Sequence, residues 1–162
     1  MTNTLNIKTE PDPGLRKVSS SLPQDNIKTE KMEQFCRDMA ETMQQKDGIG
    51  LAAPQVGENI RLIAIKGDNG PLIMINPQIT KRSFAKQWGE EGCLSVPHTF
   101  GQVQRHKKVN CIYWDEQGKK QKIQASELTA RVIQHEIDHL DGILFTDKAE
   151  NIRKEKEKES NI

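Results

Sequence analysis

The sequence predicts an α+β fold, in which antiparallel β-sheets pack around a central helix and a second helix lies in the N-terminal half. Two segments have helical periodicity, at residues 29–45 and 126–140, and the short apolar runs between them are separated by turn residues typical of hairpins. Because the helices bracket these runs and do not alternate with them, we expect antiparallel strands wrapped around the second helix.

The first helix and the strands are predicted from the spacing of apolar residues. Residues 29–45 carry one apolar stripe at i, i+3, i+4, i+7 and i+11, and the helix is expected to end near residue 47. Residues 48–57 are expected to form a loop or an edge segment. Strands are predicted in two pairs, each interrupted by a turn: residues 61–66 with 72–75, and residues 109–113 with 122–124.

The second helix carries apolar residues on two faces. A helix of this kind is predicted to be buried inside the domain. Ser126 is a candidate N-cap, and Gly142 is expected to end the helix. The two faces consist of Leu128, Val132, His135 and His139, and of Ile133, Ile137 and Leu140.

The length of 162 residues indicates one domain, expected at residues 1–147, followed by a charged tail at residues 148–162. The tail is predicted to be a solvated helix or a frayed end. The formal charge of +1 gives no excess of either sign that would indicate direct binding to nucleic acid or to an anionic membrane. No apolar run approaches the ~20 residues that span a bilayer, and no signal peptide is evident. We therefore expect a cytoplasmic protein of bacterial type, or an organellar one.

The segment His135-Glu136-Ile137-Asp138-His139 is the strongest indication of chemistry. At about 100° per residue, positions 135 and 139 lie roughly 40° apart on a helix, so both imidazoles can reach one metal ion. Glu136 projects beside them and can contact a water. The alternative is two surface histidines on an acidic helix, which the expected burial disfavours because unliganded buried polar groups are costly.

A catalytic site of this type needs a third protein ligand and one open position. The candidates are Cys93, His98, His106 and a carboxylate beyond the helix. Cys93 follows a glycine, and its thiolate would bind a divalent metal strongly, although a small buried residue is the alternative. Cys36 and Cys111 lie in apolar segments and are predicted to be core thiols.

Three separated segments together resemble the motifs of peptide deformylases. Residues 48–55 (Gly-Ile-Gly-Leu-Ala-Ala-Pro-Gln) are similar to the first motif, residues 91–95 (Glu-Gly-Cys-Leu-Ser) to the second, and residues 135–139 to the third. They occur in the family order, and the similarity extends from about residue 11 to residue 145. A single segment could be accidental, whereas the three together are highly specific.

The resemblance implies hydrolytic removal of the N-formyl group from the formylmethionine of newly made polypeptides. Glu136 would act as general base and then as general acid on a metal-activated water. The side-chain amide of Gln55 and the backbone N–H of Leu94 would stabilise the oxyanion. The family usually uses Fe²⁺, and Zn²⁺ or Ni²⁺ can take the same site. The implied ligands of this single divalent ion are Cys93, His135 and His139.

The same resemblance implies where the formyl peptide binds. Its backbone would pair in a strand-like manner with the exposed segment around residues 49–50. Leu128 and Val132 are candidates for an apolar pocket around the methionine side chain, and core packing is the alternative role for both. Arg131 either borders this pocket and contacts substrate carbonyls or only reaches solvent. The residues implied to hold the peptide backbone are Ile49, Gly50 and Gly92.

Supporting contacts are also expected around the site. Glu91 and Arg105 are predicted to form an ion pair behind the Cys93 loop, and Asp47 and Asp138 are candidate partners of the histidines. Some deformylases carry a substrate-binding arginine a few residues after the second motif, where this sequence has a phenylalanine, Phe100.

The expected partners are N-formylmethionyl peptides and nascent chains, with transient ribosome contact. Many bacterial members touch the ribosome through a longer C-terminal helix, whereas this chain ends 23 residues after His139.

Two other functions are compatible with parts of the sequence. A metalloprotease would use a downstream carboxylate such as Glu159 as the third ligand, but this assignment leaves Cys93 and residues 48–55 without a role. A non-catalytic, metal-stabilised peptide-binding module would need no water-activating base, so Glu136 and Gln55 disfavour it.

Overall fold

The computed structural model describes residues 1–156 and contains the two expected helices. α1 spans Glu30–Gln45 and begins after Thr29, whose hydroxyl accepts a hydrogen bond from the backbone N–H of Met32. α2 spans Glu127–Leu140, and ten of its fourteen residues are buried, as its two apolar faces predict. Ser126 occupies the N-cap position of α2, but its side chain makes no capping hydrogen bond. No helix in the described residues is both long and apolar enough to cross a membrane.

Within residues 1–156, eight strands form two sheets in which every neighbouring pair is antiparallel. The strands are β1 (Gly50–Ala52), β2 (Leu62–Gly67), β3 (Gly70–Arg82), β4 (Lys86–Cys93), β5 (Val96–His106), β6 (Lys108–Trp114), β7 (Lys120–Ser126) and β8 (Glu150–Lys154). The larger sheet has the order β1-β2-β3-β6-β7, and the smaller has the order β4-β5-β8. The predicted α+β class is confirmed, and the two predicted strand pairs correspond to β2–β3 and β6–β7.

The position of the larger sheet between the helices follows from the sequence of β2. Residues 62–65 are all buried, and successive side chains of a strand point to opposite faces of its sheet. Ile63 packs in the apolar cluster that contains Ile133 of α2, whereas the adjacent Ala64 packs in the cluster that contains Met39 of α1. The sheet therefore has α1 on one face and α2 on the other.

The hairpin of β4 and β5 was not predicted. β4 reads Lys-Gln-Trp-Gly-Glu-Glu-Gly-Cys, and its only buried residue is Glu91. A strand without buried apolar residues gives no alternation of apolar and polar positions, which is the pattern that identifies strands in a sequence. This hairpin matters for the site because Cys93 is its last residue before the turn.

The prediction of a solvated helix or a frayed end is wrong for the described part of the tail. Residues Glu150–Lys154 form β8, which pairs with β5, and all five of them are exposed. Because these residues pack no side chain into the core, backbone hydrogen bonds to the edge strand β5 hold this largely charged segment in position. Residues 157–162, which include Glu159, lie outside the described residues, and the domain boundary at residue 147 stays a prediction.

Candidate active site

Three side chains that could bind a metal meet where the end of β4 approaches the middle of α2. The ligand atoms of Cys93, His135 and His139 all lie within 4.8 Å of one another. The Sγ atom of Cys93 is 3.3 Å from Nε2 of His139, and the two imidazole rings are 5.0 Å apart at their centroids. His106 is not part of this group, and its Nδ1 atom lies 2.7 Å from the backbone carbonyl of Ser83.

Glu91 sets the orientation of His135. Its Oε1 atom lies 2.7 Å from Nδ1 of His135 and accepts a hydrogen bond from it, which turns Nε2 toward the other two ligands. Burial alone would lower the pKa of His135, but interactions with Cys93 and Glu91 outweigh burial and raise it to about 10. Burial and the neighbouring His135 hold the pKa of His139 well below its ordinary value. His139 is therefore neutral and able to donate a lone pair to a cation.

The expected histidine partners, Asp47 and Asp138, do not take that role. Among the described residues, Nδ1 of His139 is buried without a hydrogen-bond partner. Asp138 instead pairs with Arg105 at 2.5 Å and with Lys148 at 3.0 Å. No local signal in the sequence points to Glu91 as the partner of His135, because β4 lacks the apolar alternation of an ordinary strand and 44 residues separate the two side chains.

Glu91 is also the centre of a buried ionic network. Arg105 donates two hydrogen bonds of 2.9 Å to its carboxylate, and Arg131 donates one of 2.6 Å. The predicted ion pair of Glu91 and Arg105 is confirmed. Burial opposes ionisation of Glu91, but the hydrogen bonds from His135 and Arg105 outweigh it and hold the pKa of the carboxyl well below its ordinary value. The ligand-bearing ends of β4 and α2 are therefore joined by charge-assisted hydrogen bonds.

Glu136 lies buried beside the candidate ligands. Its Oε1 atom is 4.0 Å from Nε2 of His135, and its buried Oε2 atom has no hydrogen-bond partner in the described residues. Burial raises the pKa of this carboxyl to about 7. Gly50 of β1 packs against it so closely that a Cβ there would lie 2.8 Å from both Cγ and Cδ of Glu136. Such a carboxylate can exchange a proton near neutral pH.

Gln55 is held beside Cys93 by hydrogen bonds to the residues around it. Its Oε1 atom accepts a hydrogen bond of 2.9 Å from the backbone N–H of Ala52. Its Nε2 atom donates to Oγ of Ser95 at 3.1 Å and lies 3.4 Å from Sγ of Cys93. Leu94 occupies the turn that directly follows Cys93. The amide of Gln55 is therefore a fixed donor at the ligand cluster, as an oxyanion-stabilising group must be.

Gln55, Cys93, His135 and Glu136 line a cleft of about 550 Å³. Leu128 is 60 % exposed at its edge, whereas Val132 is buried in its wall. Arg131 is only 8 % exposed, so the suggestion that it only reaches solvent is wrong. Its guanidinium donates to Glu91 and to the backbone carbonyls of Val103 and Gln87. All six residues that were predicted to bind substrate line this cleft, namely Ile49, Gly50, Gly92, Leu128, Arg131 and Val132.

Comparison with known proteins identifies the family. The model of the family described as Polypeptide deformylase matches residues 4–155. A peptide deformylase of Synechocystis sp. is 48 % identical over 127 residues, which are 75 % of this chain and 68 % of that protein. One of Symbiobacterium thermophilum is 46 % identical over 154 residues, which are 92 % of this chain and 68 % of that protein.

Solved structures agree with these sequence relatives. A peptide deformylase of Synechococcus elongatus in complex with actinonin has a TM-score of 0.85 and 42 % identity, with 91 % of this chain and 79 % of that one covered. The peptide deformylase of Thermotoga maritima has a TM-score of 0.87 and 36 % identity, with 91 % and 99 % covered. This chain therefore belongs to the polypeptide deformylase family, whose members remove the N-formyl group from nascent polypeptides.

Proposed function

We propose that this chain deformylates the N-terminal formylmethionine of new polypeptides with one divalent ion bound by Cys93, His135 and His139. The observation that carries the proposal is the convergence of these three ligand atoms within 4.8 Å, beside the buried carboxylate of Glu136. A metal-stabilised peptide-binding module would need the three ligands but would not need the buried carboxylate, which is suited to move a proton.

The donor set fits a divalent metal ion. One thiolate and two imidazoles suit several transition metals, and three protein ligands leave a position open for chemistry. The low pKa of His139 leaves its ring able to donate a lone pair. Glu91 holds the Nδ1–H of His135, and Nε2 of that ring would lose its proton when an ion binds. When bound, such an ion supplies a Lewis acid that activates water and polarises the formyl carbonyl. We propose Fe²⁺ as the native ion, as in the family that the sequence resembles, with Zn²⁺ or Ni²⁺ as substitutes.

Glu136 is proposed to move the proton. Its carboxylate takes a proton from the attacking water and later gives it to the departing amine of methionine. The raised pKa of about 7 supports both roles, since the group can be deprotonated before attack and protonated afterwards. Gln55 and the backbone N–H of Leu94 are proposed to donate to the oxyanion. The bond from Ala52 to Gln55 supports this role because it leaves the Nε2 atom of Gln55 pointing toward Cys93.

The peptide is proposed to lie in the 550 Å³ cleft with its backbone along β1 and β4. Ile49, Gly50 and Gly92 would hold the backbone, and Leu128 and Val132 would contact the methionine side chain. Arg131 would border this pocket, although its observed hydrogen bonds to protein groups favour a supporting role for its guanidinium. A peptide deformylase of Acinetobacter baumannii that is 32 % identical to this chain has been solved with Met-Ala-Ser bound.

The proposed substrates are formylmethionyl peptides and nascent chains, met in the cytoplasm of a bacterial cell or in an organelle. Transient contact with the ribosome would bring the cleft to each new N-terminus. The bacterial sources of the similar proteins support this setting.

Formate release tests the proposal directly. The protein is loaded anaerobically with Fe²⁺ and assayed with formyl-Met-Ala-Ser, in parallel with Glu136→Ala and Cys93→Ala. We expect rapid release by the wild type, loss of about 10²–10⁴ in rate for Glu136→Ala with metal retained, and loss of metal for Cys93→Ala. A folded, metal-loaded wild type that binds the peptide and releases no formate would instead identify a binding module. A Cys93→Ala variant that retains its metal would revive the protease assignment.

A further inference from the structure

The exposed strand β8 contributes a cation to one wall of the cleft. β8 lies along β5, with Arg153 opposite Phe100 in the register. The guanidinium of Arg153 lies over the ring of Phe100, with Cζ 5.0 Å from the ring centroid. This arrangement is a cation–π contact between the C-terminal strand and a residue that lines the cleft.

Arg153 also neutralises a carboxylate of the same wall. Its Nη1 atom forms an ion pair with Glu90, which lines the cleft, and its Nη2 atom lies 3.1 Å from Glu155. Among the described residues, no other cation forms an ion pair with Glu90. Removing the charge of Arg153 would therefore leave an uncompensated anion at the rim of the cleft.

Phe100 in turn covers the backbone of the strand that carries Cys93. Gly92 lies opposite Phe100, and a Cβ at Gly92 would be 2.8 Å from Cε1 of the ring. The ring can rest against β4 at this point only because residue 92 has no side chain. Gly92, Phe100 and Arg153 thus form a continuous contact from the cleft to β8.

We propose that Arg153 is a specificity-determining residue, which holds Phe100 against Gly92 and neutralises Glu90. As a result, the cleft accepts peptides regardless of the charge on the residues that follow formylmethionine. This inference rests on the proposed deformylase function. A neutral rim suits an enzyme whose substrates share only their first residue. An unpaired Glu90 would favour a lysine and disfavour a glutamate at the next peptide positions.

Substitution of Arg153 tests this role through KM. The Fe²⁺-loaded enzyme is assayed with formyl-Met-Lys-Ser, formyl-Met-Glu-Ser and formyl-Met-Ala-Ser. In Arg153→Gln we expect kcat to stay within about twofold, KM to fall about threefold for the lysine peptide and to rise about threefold for the glutamate peptide. The change should shrink in 0.5 M KCl, because salt screens exposed charges.

Three further variants separate charge selection from structural support. Arg153→Lys retains the cation and should keep the wild-type ratio of the two KM values. Adding Glu90→Gln to Arg153→Gln should restore that ratio, because the unpaired anion of the cleft lining is then gone. Glu155, which also loses its partner, is not among the lining residues. Arg16→Gln is the matched control, because Arg16 is similarly exposed between two carboxylates, Glu10 and Asp147, outside the cleft lining.

The possible results are distinguishable. An unchanged KM ratio in Arg153→Gln, with turnover intact, would overturn the inference and leave the proposed function standing. An equal loss of kcat for all three peptides would also overturn it, because it would show structural support alone. A wild type that releases no formate from any peptide would overturn the proposed function, and this inference with it.

Discussion

Replacing Gly50 by alanine is expected to displace the proposed general base. The added methyl carbon would lie 2.8 Å from both Cγ and Cδ of Glu136 and closer still to its Oε1 atom. Carbon atoms in contact prefer separations of about 3.5 Å, so the Glu136 carboxylate must shift by roughly 0.7 Å or more. It has little room to do so, because Glu136 is buried on the packed helix α2. A displacement of about 1 Å at a reacting group can cost about 10² in rate, so we expect kcat to fall about 30- to 100-fold.

The assay is formate release under Fe²⁺ saturation, with metal content and thermal stability measured on the same samples. Gly48→Ala is the matched control on the same segment. A Cβ at Gly48 would meet its nearest neighbours, which include Leu94 and the backbone of Gly50, at 3.4 Å, and this is an ordinary contact. Gly48→Ala should therefore keep kcat within a few-fold of the wild type. Neither variant should lose metal, since neither glycine contacts the ligand atoms.

One pattern of results would refute the reasoning. If Glu136→Ala abolishes turnover while Gly50→Ala keeps the wild-type kcat, then close packing of β1 against Glu136 does not fix the position of the base. If Gly50→Ala raises KM alone, then Gly50 acts through the peptide backbone and the position of Glu136 is insensitive to it.

Three other substitutions or reactions test the remaining parts of the site. Glu91→Gln should lower the free energy of unfolding by about 3–5 kcal/mol, measured by denaturation, and weaken metal binding about 10- to 100-fold, measured by metal titration. The reason is that buried Arg131 loses its carboxylate partner and buried Arg105 keeps only Asp138. Lost activity without lost stability would argue against a supporting ion pair. Gln55→Leu should lower kcat by about 10²–10³ with metal retained, and a loss below tenfold would exclude an oxyanion role. Alkylation of the chelator-treated protein at pH 8, read by mass spectrometry, should modify Cys93 alone, and added metal should block the reaction. Cys36 and Cys111 should not react because burial raises the pKa of their thiols to about 12 and about 11. Modification of either buried thiol before unfolding would contradict this.

The sequence predicted the parts of the molecule that depend on periodic patterns. The apolar stripes predicted α1 and α2 to within a residue, and the spacing of the two histidines predicted that both would face one point in space. β2 and β3 were found because their buried residues are apolar. The partnership of Cys93 with the histidines was anticipated through family resemblance, since 42 residues separate it from His135 and no local rule brings them together.

The hairpin of β4 and β5 escaped prediction for a physical reason. Val103 is the one large apolar residue among its buried positions, and the others are Glu91, Thr99, Gly101 and Arg105. The alternation of apolar and polar residues that marks an ordinary strand is therefore missing. Glu91 is the clearest case, because its burial depends on Arg105 and Arg131, which come from β5 and α2. A buried ion of this kind is recognisable only after its partners have been placed in space. The charged residues of β8 likewise have the composition of a solvated tail. The contact of Arg153 with Phe100 is evident only from the structure.

Charge balance explains why such a network can lie beneath the candidate metal site. Among its buried groups, Glu91 and Asp138 provide two negative charges and Arg105 and Arg131 two positive ones, whereas Lys148, the other partner of Asp138, is half-exposed. Glu91 holds the Nδ1–H of His135, so Nε2 is the atom that would bind a cation once its proton is displaced. Cys93 is outside this balance. Bound to an ion as a thiolate, it would be compensated by that cation itself, which favours a divalent ion in the cluster of ligands.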